Sequence, residues 1–178
     1  MKRLRKAKEW IRKKGESVEN AISADLSQIS ICREPERYLI QSEVESANDR
    51  IWAHAIGELL EECKENGIQS PYPIGYRQNL IDIQNGIFDN YRVFYEMLDY
   101  KPAKQQYHVR PEGNYLVAFH KGDWRKIEDT YRKILEFVEE EKVELESYFY
   151  EDYLLDSFAV KNEEDYVTKI VCRVKESR

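Results

Sequence analysis

The chain repeats itself, and that fact narrows its possible folds more than any other. Glu34-Pro35-Glu36 stands ahead of Tyr38-Leu39-Ile40, and Arg110-Pro111-Glu112 stands ahead of Tyr115-Leu116-Val117. The separations agree: Pro35 to Pro111 is 76 residues, Tyr38 to Tyr115 is 77 and Ile68 to Val143 is 75. Each extended run is followed by a helical pattern and then by two more strand-like runs. Likeness at a fixed offset is the mark of a duplicated unit, here strand–helix–strand–strand, over about residues 26–100 and 105–176. The fold class is therefore α+β. Two such units close into one antiparallel sheet with both helices on one face, related by a pseudo-twofold axis. The opposite face is expected to be concave, with a pocket where the repeats meet.

The elements follow from the pattern. In the first repeat, Pro35 should break or kink the run over 26–44, because proline cannot donate to a sheet. The stripe Ile51, Trp52, Ala55, Ile56, Leu59, Leu60 and Cys63 predicts a helix, with Ser46 as cap and Asn66-Gly67 as stop. Two extended runs around Asn85-Gly86 read as a hairpin. In the second repeat Asp123 is the cap, and Trp124, Ile127, Tyr131, Ile134, Leu135 and Val138 are the buried stripe. Strands at YFYEDYLLD and DYVTKIVCRV follow.

Ahead of the repeats, residues 1–24 form a separate amphipathic helix, with Leu4, Ala7, Ile11, Val18 and Ile22 as its stripe. Gly15 interrupts it, so it should lie against the body or against a second copy of itself, which would make a homodimer. The body starts near residue 25 and runs to 178. Charge divides the same way. Residues 1–14 hold eight basic side chains and one acid; the remainder holds 20 basic against 33 acidic, a balance of −13 inside a net −6. An acidic body repels polyanions and attracts cations.

The segment Tyr148-Phe149-Tyr150-Glu151-Asp152-Tyr153 sets two carboxylates among aromatic rings. As a strand it presents Phe149, Glu151 and Tyr153 on one face and Tyr148, Tyr150 and Asp152 on the other. A carboxylate among rings is costly unless it reaches water or meets a cation. A pairing of 151 with 169 would bring Lys169 across from Glu151 and neutralise it; a one-residue slip would bring Thr168 there instead.

Other chemistries lack their residues. His54, His108 and His120 have no partner at metal-ligand spacing, so no metal is expected. The cysteines (Cys32, Cys63, Cys172) are three and scattered, arguing against a disulfide framework and for a reducing compartment, the cytoplasm by default. No nucleophile elbow or phosphate loop is visible, and no cofactor is implied. No apolar run approaches the roughly 20 residues of a membrane span. With one helix ahead of the repeats there is no complete helix-turn-helix, so this chain alone is not expected to read DNA.

The second half resembles the gyrase-inhibitor-like (GyrI-like) effector-binding domains. The resemblance rests on Lys121-Gly122-Asp123-Trp124, the helix tyrosine Tyr131, Tyr150-Glu151-Asp152-Tyr153-Leu154, and Glu163-Glu164 with Thr168 and Ile170. It covers about residues 26–176. Where the family often has Thr-Glu-Ile, this chain has Thr168-Lys169-Ile170. Such domains are similar to the ligand modules of MerR-type and AraC-type multidrug-responsive regulators, and residues 1–24 look like the end of a MerR-type dimerising helix. The resemblance implies that Glu151 faces a lipophilic organic cation, with Tyr153 beside it. Tyr38, Tyr76, Tyr115, Phe119 and Phe149 are the candidate aromatic walls. Two other readings stay open: a small-molecule hydrolase using Glu151 as base, and a protein-interaction module.

Overall fold

The duplication is realised as a palindromic sheet. The computed structural model describes residues 2–23, 25–45, 48–157 and 159–176. After helix α1 (Lys2–Ser23), the first repeat runs β1 (Ser30–Glu34), β2 (Arg37–Glu43), α2 (Asp49–Glu65), β3 (Gly75–Asn79), the short α3 (Leu80–Gln84) and β4 (Val93–Leu98). The second runs β5 (His108–Arg110), β6 (Gly113–Lys121), α4 (Ile127–Glu140), β7 (Leu145–Leu155) and β8 (Val167–Val174). A 3-10 turn, Trp124–Lys126, leads into α4.

The strands lie in the order β1-β6-β8-β7-β3-β4-β2-β5, and every described pairing is antiparallel. Exchanging each strand for its repeat equivalent reverses the order and leaves it unchanged. The twofold passes between β3 and β7, and each repeat lends its first strand to the far edge of the other.

Pro35 acts as expected. It has no N–H to donate, and β1 and β2 end on opposite sides of the sheet. Asp123 caps the second helical segment, accepting from Arg125 N at 2.9 Å. Asn48 caps α2 through Arg50 N, also at 2.9 Å; the expected cap, Ser46, lies outside the described residues. Asn85-Gly86 does not turn a hairpin. It closes α3, where Gly86 N bonds to Ile83 O and Gly86 takes φ 77°, so β3 and β4 pair across a longer connection. The pair Asn-Gly suits a helix C-terminus as well as a hairpin turn, because both need a left-handed residue.

The sheet has two buried faces. On the outer face, α2 packs on Ile40, Phe94 and Leu98, and α4 packs on Leu116, Ala118 and Ile170. The inner face carries Leu39, Tyr95, Met97, Val117, Tyr150 and Val171. It is strongly concave: Arg110 on the edge strand β5 reaches Asp152 on β7 at 2.9 Å. Four strand spacings of about 4.8 Å separate these strands in a flat sheet, roughly 19 Å. Only a sheet curled into a half barrel closes that gap.

Helix α1 lies across the mouth of the concavity. Ala21 is buried against Leu155 and Val167. Lys13 pairs with Asp99 at 2.5 Å, and the Trp10 indole N–H donates to Ser70 O at 2.9 Å. Of its apolar stripe, Val18 packs inward while Leu4, Ile11 and Ile22 stay exposed. Among the described residues no helix is long and apolar enough to cross a membrane.

Candidate ligand site

Glu151 stands in the middle of β7, beside the pseudo-twofold, and is completely buried. Its alternation with Phe149 and Tyr153 points it at the outer face, under the helices. The concave face was the expected home of the cleft, but the odd-numbered residues here belong to the helix side, so the carboxylate lies between α2 and α4.

Three neutral donors hold it. Tyr131 Oη on α4 donates to Oε1 at 2.7 Å, Gln78 Nε2 on β3 donates to Oε1 at 2.9 Å, and Tyr91 Oη donates to Oε2 at 2.9 Å. No ion pair reaches Glu151 among the described residues. Burial pushes its pKa up to about 7, against the downward pull of those three bonds. The phenols pay the converse cost: burial first, then the Glu151 charge, raises Tyr91, Tyr131 and Tyr153 well above the usual tyrosine range and Tyr76 to about 12.

The acid sits in an aromatic cage. Tyr76 lies 5.0 Å from Tyr153 and 5.2 Å from both Tyr91 and Phe94, centroid to centroid. Trp52 of α2 and Trp124 pack edge-on against Tyr91 at 5.6 and 6.0 Å. Phe88 stacks on Tyr131 at 5.9 Å, and Tyr131 meets Phe149 at 5.2 Å. Above Phe88, Trp124 and Ile127 lies a surface hollow of about 380 Å³. Two buried polar atoms of the cage, Gln78 Oε1 and Trp52 Nε1, have no hydrogen-bond partner among the described residues. Orphaned buried polar atoms are uncommon and costly.

The structure gathers four of the expected residues, Glu151, Phe149, Tyr153 and Tyr76, and separates three. Tyr38 shares the outer face but lies on β2, three strands from β7, where its ring meets Tyr107 and its hydroxyl donates to Glu36. Tyr115 and Phe119 are on the inner face; Tyr115 donates to Pro111 O at 2.7 Å. The reason is a slip of one residue. The sheet register repeats at 76: Leu39 faces Met97, and the same pair moved by 76 is Tyr115 facing Arg173. Matching Tyr38 to Tyr115, at 77, puts equivalent residues on opposite faces.

Lys169 is likewise excluded. Ile170, neither 169 nor 168, faces Glu151; Lys169 faces Asp152 across the inner surface and pairs with Glu34 at 2.7 Å. Gln78, Tyr91, Trp52 and Trp124 were not picked out as site residues, and Tyr131 was read as helix stripe and family motif only. Tyr131 carried a signal: a hydroxyl in a buried stripe needs an acceptor. His120 is structural, bonded to Thr130 Oγ1 at 2.8 Å and Asp123 O at 2.9 Å. No metal-holding cluster exists among the described residues.

The raised acid gives a signed expectation. Folded Glu151 keeps its proton up to about pH 7, whereas an unfolded Glu loses it near 4.5. Between those values the native state binds more protons, so its stability falls as pH rises. The loss is on the order of 3 kcal/mol at most. Chemical denaturation across pH 4.5–7.5 should show this slope in the native protein and a flatter one in Glu151→Gln. An unchanged slope in the variant would mean that Glu151 stays ionised.

A duplicated half barrel with a buried acid in an aromatic cage defines a small-molecule-binding module. Residues 27–175 match the GyrI-like small molecule binding domain, and the chain belongs to that family. It is 32% identical over 159 residues to the Multidrug-efflux transporter 2 regulator of Bacillus subtilis (strain 168), covering 89% of this chain and 58% of that protein. The chain thus spans little more than half of that relative's length. Its fold is similar to the EcmrR C-terminal domain (TM-score 0.62, 18% identity, 84% of this chain and 98% of that one). It is also similar to EcmrR in its DNA complex (TM-score 0.65, 14% identity, 99% and 68%), an overlay that takes in α1.

Proposed function

We infer that the chain is an effector-binding domain for lipophilic organic cations, with Glu151 as the charge-recognising group. One observation carries the reading: a fully buried carboxylate, held by three neutral donors and paired with no cation among the described residues, inside a cage of tyrosines and tryptophans. A cation there gains Coulomb energy in a low-dielectric site and about 0.5–2 kcal/mol from each ring face it meets. Hydrolysis would ask Glu151 to activate a water; a sealed acid with three hydrogen bonds suits charge recognition better. The hollow lined by Phe88 and Trp124 is the entry this reading assigns to the ligand. The test is calorimetric titration with benzyltriethylammonium and with a neutral benzyl ether of similar size. Preference for the cation supports the reading, and equal affinities contradict it.

The domain acts as the ligand module of a transcription regulator or a standalone relative of one, and it dimerises through α1. Leu4, Ile11 and Ile22 are separated by 7 and 11 residues, which sets them within about 20° on the helix circumference, and all three are exposed. Sedimentation at about 50 μM should show a dimer that Ile11→Glu dissociates, since a buried unpaired charge opposes association. A monomeric native chain would contradict this.

A further inference from the structure

The concave face, which Glu151 does not occupy, encloses its own hollow. It measures about 400 Å³ and lies between α1 and the sheet. Met97, Phe119, Leu154 and Tyr72 form its apolar side, and α1 contributes Ser17 and Asn20.

Charged side chains crowd its wall. Four cations belong to it: Lys13, Arg37, Arg110 and Lys169. They share three acids, for Lys13 and Arg37 both pair with Asp99, Lys169 pairs with Glu34, and Arg110 pairs with Asp152. Glu16 also lines the hollow and shares exposed Arg12 with Glu9, so the network as a whole is balanced. Within it Arg110 is short of hydrogen-bond partners. It is 2% exposed; Nη1 bonds to Asp152 at 2.9 and 3.0 Å, and among the described residues Nη2 meets only the Met97 sulfur, at 3.2 Å, and Nε has no partner. A guanidinium edge of Nε and Nη2 is the fork that takes a carboxylate with two parallel bonds.

We propose that this inner hollow is a second ligand site, for a small carboxylate with an apolar tail. The carboxylate takes the unbonded edge of Arg110, with Lys169 alongside; the tail lies on Met97, Phe119 and Leu154. The site is built from the opposite face of β7 and does not depend on what binds at Glu151. The two faces would then select opposite charges, an organic cation outside and an organic anion inside.

The chain has two methionines, Met1 and Met97, so ¹³C-methyl methionine labelling places one reporter in the hollow. The probes are 4-phenylbutyrate, 4-phenylbutanol and 4-phenylbutylammonium. Saturable movement of the Met97 methyl signal with the carboxylate alone supports the proposal. Lys169→Gln, at the rim, should weaken 4-phenylbutyrate by about tenfold, the scale of one charge-assisted bond. Glu34→Gln releases Lys169 from its acid partner and should strengthen it. Glu151→Gln should leave it unchanged, which keeps this test apart from the one at the outer face. A Met97 signal unmoved at about 5 mM 4-phenylbutyrate, weak even for a fragment, would overturn the proposal. So would affinities indifferent to both rim variants, or binding lost in Glu151→Gln.

Discussion

Glu151→Gln is expected to remove the preference for benzyltriethylammonium while leaving the neutral benzyl ether within a few-fold of its native affinity. The amide has nearly the carboxylate's shape, so the rings around it stay in place. What disappears is the charge. Truncating one member of a buried, hydrogen-bonded charge pair typically costs about 2–5 kcal/mol, so the cation should weaken by about 30-fold or more. The variant should be no less stable than the native protein at pH 7.5, because it no longer holds an ionised acid in a sealed cage. Proton counting gives an independent reading. Near pH 6.5 free Glu151, titrating at about 7, is largely protonated; a bound cation drives the proton off. Calorimetry in two buffers of different ionisation enthalpy should therefore show proton release on binding to the native protein and none in the variant. Equal loss of cation and neutral ligand would instead mean that Glu151 only shapes the cage.

The fold was largely legible because its signals are periodic. The offset near 76, the helical stripes and the proline breaks each report geometry that the chain must adopt locally. Faces were harder, because a strand alternates every residue and an offset of 76 or 77 decides which side a ring falls on. Phe149, Glu151 and Tyr153 share one face, since their order within one strand fixes it. Tyr115 and Phe119 depended on aligning two strands and lie on the opposite face. The donors Gln78 and Tyr91 lie 73 and 60 residues from Glu151, and nothing in local pattern reveals a hydrogen bond at that range. Asn85-Gly86 misled for a different reason: the same φ > 0 requirement serves a hairpin turn and a helix end.

Arg110→Met should be the most damaging single change at the inner face, destabilising the domain by about 3–5 kcal/mol. Asp152 is 5% exposed and among the described residues has two side-chain partners, Arg110 and the Tyr95 hydroxyl at 2.6 Å. Without the guanidinium a buried carboxylate keeps one neutral donor and no counter-charge. Geometry adds to the loss. Arg110 spans the concavity from β5 to β7, and its guanidinium lies 5.3 Å from the Tyr150 ring centroid, so it ties the edge of the half barrel to its centre. Gly75 serves the same arrangement: a Cβ there would come within 2.2 Å of the Tyr95 ring, displacing the phenol that reaches Asp152. Two further variants, one double and one single, separate charge from shape. Arg110→Met with Asp152→Asn removes the uncompensated charge and should recover most of the loss, since replacing both members of a buried pair is often close to neutral. Arg110→Lys keeps the charge but not the planar fork, and should fall between the single variant and the native protein in urea titrations. If Arg110→Met costs under about 1 kcal/mol, the range of a surface ion pair, then Asp152 is not relying on Arg110 and the half barrel is held by its apolar faces alone.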